Sequence, residues 1–501
     1  MSDVKYKISL MLVLLSVMLT AAAQDVSVRG CRRGTPRAVI GTTRGAASGQ
    51  AKHPGGDFYH SKRRQLTVLA SFADQKFQGD EAATLNLWDK IFNAENLNEK
   101  PFHGSVRDYF YSQSYGKLQL TFDLQYVALS DNRYKYRSTA ATDENSQYLV
   151  DDVMDALLKR DIDWSQYDWN GDGYVNQLLI VFAGKGSSYG GFGGGTDAIW
   201  PHQYWLSDRL DQTTPDKTDC RSPRSFNYDG KEYKVDCYCA VQELYSNGTY
   251  GNFGTICHEF SHCFGLPDFY YGRSKTVGGW DLMDDGNNNG GGFCPPNYSA
   301  HERWLMGWLT PTELTANRTV EGLSALSDKP QAYLLRNEGY PSEYYLVENR
   351  QQQGWDASLP GSGIVVFHVD YLQDLWCGVI YDWVNTQSLK RYSIIPANNS
   401  MLAVQSAGWA YPYSDNDELT NSSTPAATLN HENTDGSLLM NKSLTEMAVD
   451  ASGKGSFRFS VDGGTGIVEH HTEGQPQVLY DLGLVRIVRC PNGEIKKVVK
   501  H

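Results

Sequence analysis

Cysteine is scarce in this chain, with 9 among 501 residues. That density excludes a small disulfide-stapled scaffold, and a chain this long buries a core without staples. Long apolar runs are missing after Leu19, so no later segment reads as a membrane span. No fixed period recurs, which excludes a solenoid. Basic residues are in deficit, 45 Lys and Arg against 58 Asp and Glu. What remains is globular in composition, 40% hydrophobic and 21% charged, and its length suits two or three domains.

The charge is unevenly spread. Residues 1–64 hold 11 basic and 3 acidic side chains, a balance of +8, and the other 437 hold 34 and 55, a balance of −21. So acidic a body repels phosphate, which excludes a general binder of nucleic acid or anionic lipid. The basic end has the layout of an export leader. Lys5 and Lys7 precede an apolar run over 8–19, and Ala21, Ala22 and Ala23 offer a small-residue cleavage site. The run is shorter than the ~20 residues that span a bilayer. A signal peptide over 1–23 is therefore expected, with no transmembrane anchor after its removal.

Residues 24–64 are rich in Gly, Ser, Arg and Lys and end in Lys62-Arg63-Arg64. They read as a flexible candidate prosegment, its end either a processing site or a solvated linker. Its single thiol, Cys31, is a candidate latency ligand, because a thiolate can fill the open position of a metal site. The other cysteines are Cys220, Cys237, Cys239, Cys257, Cys263, Cys294, Cys377 and Cys490. An odd total leaves at least one unpaired or bonded to another molecule. Cys237 and Cys239 are one residue apart, a spacing that suits strand core better than a zinc knuckle.

A catalytic domain is expected over 65–310. LTVLASFAD reads as a buried strand, 81–92 and 104–115 as helices, and KLQLTFDLQYVAL as a strand pair. Residues 143–160 predict an amphipathic helix with Leu149, Val150, Val153, Met154 and Leu157 on one face. QLLIVFA over 177–183 is apolar on both faces and so central in a sheet. Short β segments at 333–336, 344–349, 363–370, 392–396 and 455–461 predict an all-β, sandwich-like domain over 311–462. A small β tail over 463–501 follows, with a hairpin turn at Pro491-Asn492-Gly493. The fold class is α+β.

The chemistry concentrates in GTICHEFSHCFGLPD, 254–268. On a helix, His258 and His262 project from one face at the spacing a tetrahedral zinc ion requires. Glu259 follows the first histidine, where its carboxylate serves as general base without binding the metal. Gly265 suits a left-handed helix stop, and Pro267 keeps the helix from resuming. The chain then returns with a third ligand, either Asp268 or, from a distant helix, Glu302. Histidine is rare here, 12 in all. A chance His-Glu-x-x-His occurs in on the order of a few per cent of such chains, and adding Gly and Asp at fixed offsets makes it about a hundredfold rarer. Candidates for stabilising an oxyanion are Tyr298, His301 and His202.

A second motif, DWNGDGYVN at 168–176, sets oxygens of Asp168, Asn170, Asp172, Asn176 and the Tyr174 carbonyl at EF-hand positions, but lacks the terminal glutamate. A structural rather than regulatory Ca2+ is expected, with Asp161 and Asp163 as further candidates; an Asx-rich turn without an ion is the alternative.

HEFSHCFGLPDFYY, GGWDLMDDG and PPNYSAHERWLMGWL resemble the immune-inhibitor-A-like secreted bacterial zinc metalloproteases. SVRDYFYSQSYGKL, DWNGDGYVNQLLIVFAG, DAIWPHQYWL and EYYLVENRQQQGWDASLPGSGIVVFHVDY extend the likeness over about 65–460. The resemblance implies a metzincin-like catalytic domain with Met283 beneath the metal. GIVEHHTEGQPQVLYDLGLVRIVRCPNGEIKKVVKH is similar to C-terminal sorting domains of the type IX secretion pathway. That likeness implies the type IX machinery as a partner and release at the cell surface or into the medium. The expected function is a secreted zinc endopeptidase acting on protein or peptide substrates. The rival is a surface adhesin or glycan-binding protein with a vestigial metal site.

Overall fold

Segments apolar on both faces need cover on both sides, and the structure puts them mid-sheet. The computed structural model describes residues 59–461, except 138–144, 190–197, 209–221, 246–247, 249, 251–252, 271–275, 377–383 and 387, together with the backbone of four strands outside that span. The expected signal peptide, Cys31, Cys220, Cys377, Cys490, His470-His471 and the glycine-rich run at 190–195 lie outside the described residues. Two units form, Met1–Val461 and Asp462–His501.

In chain order the first unit has β1 (Arg32–Arg33), β2 (Ser61–Ser71), α1 (Glu81–Asn93), α2 (Val106–Gln113), β3 (Leu118–Ala128) and α3 (Ser146–Leu157). Then come β4 (Tyr174–Val175), β5 (Leu178–Lys185), β6 (His202–Trp205), β7 (Arg224–Tyr228), β8 (Lys231–Val235) and β9 (Cys237–Leu244). The main sheet runs β1-β6-β9-β5-β2-β3. β3, β2, β5 and β9 are parallel, β6 is antiparallel to β9, and β1 is parallel to β6. β5 is buried from Leu178 to Gly184. The expected face of α3 is fully buried against this sheet. Asp80 caps α1 by accepting from the Ala83 amide, and Ser105 and Asp108 form a capping box on α2.

Two expectations change here. The pair foreseen in KLQLTFDLQYVAL is one strand, because β2 pairs with it from Ser61↔Leu118 to Ser71↔Ala128 without interruption. The basic run 62–64 lies within β2 rather than in a flexible leader. Arg63 Nη1 donates to the Trp169 carbonyl at 2.9 Å, and Arg64 pairs with Asp123. Ladder partners on β3 hold this backbone, so ordered structure starts before the expected boundary at 64.

The chain continues with α4 (Phe253–Cys263), α5 (Ala300–Leu305), β10 (Thr312–Glu313), β11 (Arg318–Leu323), β12 (Tyr333–Arg336), β13 (Glu343–Arg350), β14 (Gly363–Asp370), α6 (Gln373–Trp376), β15 (Tyr392–Ile394), β16 (Lys442–Val449) and β17 (Gly455–Val461). A five-stranded sheet, β10-β12-β13-β14-β15, and a three-stranded one, β11-β17-β16, enclose a core that includes Leu335, Val347, Val366, Leu444, Phe457 and Phe459. That is a sandwich-like packing. β11 and β16 escape sequence reading because irregular register interrupts their alternation, between Val320 and Leu323 and between Thr445 and Ala448. The second unit is an antiparallel sheet of β18 (Gln477–Asp481), β19 (Val485–Arg489) and β20 (Ile495–Val499), in the region where a small β tail was expected.

Arg350 bridges the expected domain boundary at 310. From the end of β13 it donates to both Asp356 carboxylate oxygens at 2.8 and 2.6 Å, to Glu348 at 3.1 Å and to the Asn297 carbonyl at 3.0 Å. Glu348 in turn accepts from the Ala300 amide at the start of α5. All three charged side chains are fully buried, and opposite charge beside Arg350 holds its pKa far above the ordinary range despite burial. Removing the cation strands two buried carboxylates. Arg350→Ala should therefore lower unfolding free energy by about 3–5 kcal/mol, read as a reduced denaturant midpoint.

Candidate metal centre

α4 is buried along its whole length. Its first turn presses on a 3-10 segment, Gly286–Gly292, so closely that a Cβ on Gly254 would lie 2.0 Å from the Asn287 carbonyl oxygen. Only glycine permits that approach, which fixes how the helix sits. At the other end Gly265 has φ +91°, the left-handed stop its spacing predicts. The chain reverses and brings Asp268 back beneath the helix.

His258 Nε2 and His262 Nε2 are 3.2 Å apart. Asp268 Oδ1 is 3.2 Å from the first and 3.3 Å from the second. Each ring is oriented from behind. His258 Nδ1 donates to the Leu282 carbonyl at 2.9 Å, and His262 Nδ1 to the Leu266 carbonyl at 2.7 Å. With both Nδ1 protons so used, two Nε2 lone pairs and a carboxylate oxygen converge in a buried space. Those groups repel one another unless a proton or cation sits among them, so the donor set fits a divalent metal. Among the described residues this is the only cluster of three His, Cys, Asp or Glu ligand atoms close enough to hold an ion.

Electrostatics shows the same demand for positive charge. Burial would depress His258, but Asp268 overrides it and raises the ring to about 9. In His262 burial prevails and the pKa falls. Burial would also raise Asp268, yet the two imidazoles pull it below the usual carboxylate range. At neutral pH the metal-free triad thus carries a proton on His258 that an incoming cation must displace. Zinc uptake at pH 7 should release about one proton, measured by calorimetry in buffers of different ionisation enthalpy. Affinity should rise with pH and level off above about 9. Uptake without proton release would contradict this.

Glu259 is fully buried beside His258 and acts on it electrostatically. Met283 is buried in the turn beneath; its carbonyl accepts from the Phe269 amide, and its own amide donates to Asp281. Burial raises Asp281 to about 7. Glu302, the other candidate third ligand, stands apart from the triad: it accepts from the Ser299 amide in a capping box on α5. Burial pushes its carboxyl well up. The three oxyanion candidates are buried and committed elsewhere. Tyr298 bonds Ser261, His202 meets the Trp200 carbonyl and the Tyr238 hydroxyl, and His301 meets the Tyr344 hydroxyl.

The expected calcium loop forms its tight turn but fills its oxygens internally. Asp168 accepts from the Asp172 and Gly173 amides and from Lys231 Nζ at 2.9 Å; Asn176 accepts from the Trp169 amide, and Asp172 from that of Tyr174. Lys231, outside the motif, thus supplies a cation beside Asp168, and Asp163 caps Ser165. No observation supports the expected calcium: a lysine the motif does not include, 63 residues beyond Asp168, donates to this Asx-rich turn.

Two supports were missed from sequence. Asp284 accepts from the amides of Thr276, Val277 and Gly278, and the Asn385 amide group donates to the Phe269 carbonyl. For Asp284 the signal was its place beside Met283; Asn385 carried none. The described thiols Cys237, Cys239, Cys257, Cys263 and Cys294 are free and buried. Burial raises the pKa of all five, which keeps them inert.

Residues 64–306, which hold this centre, match the family model of the immune inhibitor A peptidase M6 catalytic domain. That stretch is similar to a metallopeptidase catalytic domain. It is 26% identical over 343 residues to Immune inhibitor A of Bacillus thuringiensis subsp. alesti, covering 58% of this chain and 48% of that protein. It is also 26% identical over 246 residues to the pre-pro-metalloprotease PrtV of Vibrio cholerae serotype O1, covering 42% and 25%. The chain thus spans about half the length of the first relative and a quarter of the second. The segment matched by the family model ends just after Glu302 and leaves the sandwich outside.

Proposed function

We propose that this chain is a zinc endopeptidase, exported and made with a removable leader, that hydrolyses protein or peptide substrates. The observation that carries the reading is the convergence of His258, His262 and Asp268 on one buried point beside Glu259. Imidazole and carboxylate donors without thiolate suit zinc. Zinc bound there supplies a Lewis acid for the scissile carbonyl and an acidified water. Glu259 takes the proton at its carboxylate and passes it to the leaving amine. The buried setting keeps that carboxylate in a low dielectric, where its charge acts strongly. Glu259→Gln should retain zinc and lose at least ~100-fold in cleavage of internally quenched peptides with blocked ends. Undiminished cleavage would refute the mechanism, and ligand binding that survives chelation without any proteolysis would favour the adhesin.

Latency in the leader has its own support. β1 adds to the free edge of β6, Arg32 opposite His202, and β6 packs against α4. Cys31 immediately precedes this pair in sequence, and residues 24–60, with 6 basic and 2 acidic side chains, are opposite in sign to the acidic body. Cys31→Ala in the full-length precursor should raise its activity; a variant as inactive as the parent would sink the thiol's role. The relative named as a pre-pro-metalloprotease is consistent with a leader. Export past the outer membrane by a type IX tail over 463–501 completes the reading. Among the described residues, no helix is long and apolar enough to cross a membrane.

A further inference from the structure

Asp268 has two carboxylate oxygens in different surroundings. Oδ1 faces both histidine Nε2 atoms, while Oδ2 accepts a hydrogen bond from the Tyr270 hydroxyl at 3.1 Å. Tyr270 is nearly buried and two residues along the chain. Between them Phe269 is pinned on every side. Its amide donates to the Met283 carbonyl, and its own carbonyl accepts from Thr276 Oγ1 at 2.9 Å and Asn385 Nδ2 at 2.6 Å. Its ring packs against Tyr392 and Trp376, at centroid distances of 4.1 and 5.3 Å. Phe269 thus anchors away from the centre while its two neighbours turn toward each other. The pairing is built into a fixed backbone.

We propose that Tyr270 is a positioning residue that makes Asp268 a one-oxygen ligand. The inference rests on the zinc reading above. A carboxylate with both oxygens available can turn both toward a metal and fill a further coordination position, the one a hydrolytic site must leave open. A hydroxyl bonded to Oδ2 opposes that rotation and draws charge from the carboxylate, which leaves the metal a stronger Lewis acid. The bond acts through Asp268, so its loss should fall on turnover.

The test is Tyr270→Phe, which removes one oxygen and keeps the ring. Zinc-free parent and variant are each loaded with Co(II) alone, and their visible d–d absorption is compared. The parent should show the intense bands of four-coordination, and the variant should lose intensity as the second oxygen joins. With zinc, kcat should fall ~10–100-fold with KM unchanged. Matching thermal unfolding of the metal-free forms would separate this effect from misfolding. Identical Co(II) spectra and equal kcat would overturn the role of Tyr270 while leaving the zinc reading intact. A parent that takes up no Co(II) would overturn both.

Discussion

Three electron-rich atoms held within 3.3 Å of one another in a buried space are the constraint that the catalytic half answers to. Helical periodicity brings two of them together, but periodicity does not keep them there. Each imidazole needs a carbonyl behind it, and those carbonyls belong to Leu266, after the helix stop, and Leu282, in the turn containing Met283. The stop at Gly265 and the turn at 281–284 thus act as one device. The first returns Asp268, and the second orients His258 and ties down Phe269.

The turn has its own supports. Asp281 holds the Met283 amide and accepts from the Tyr392 hydroxyl, which comes from β15 of the sandwich. Arg350 reaches the Asn297 carbonyl from β13. The sandwich is therefore part of what braces the metal-site turn, although the family match ends at 306. Its buried charges are costly to desolvate and are kept by mutual pairing. They act as a clamp between layers that the sequence lists as separate domains.

Much of this was legible beforehand. The strands at 333–336, 363–370 and 455–461 stand where alternation put them, because each has one clear face or is buried on both. His258, His262 and Gly265 follow from local spacing, which a helix and a tight stop convert directly into geometry. The irregular β11 and β16 were not legible, since a register shift destroys the period that marks a strand. Lys62-Arg63-Arg64 misled for a different reason: a basic run reads as solvated until a partner such as Asp123 and a strand such as β3 are known.

The sequence by itself determined the donor types, their spacing and the uneven charge, because these are properties of composition and of a single helix. Only the tertiary structure places Asp268, and not Glu302, beside the two histidines, since that depends on where a chain reversal lands and on which amide a distant helix caps. It alone brought Lys231 to Asp168 and Tyr298 to Ser261. Each of these outcomes is a competition for a carboxylate or hydroxyl between residues far apart in the chain. Such competitions are settled by proximity in space, which no local pattern encodes.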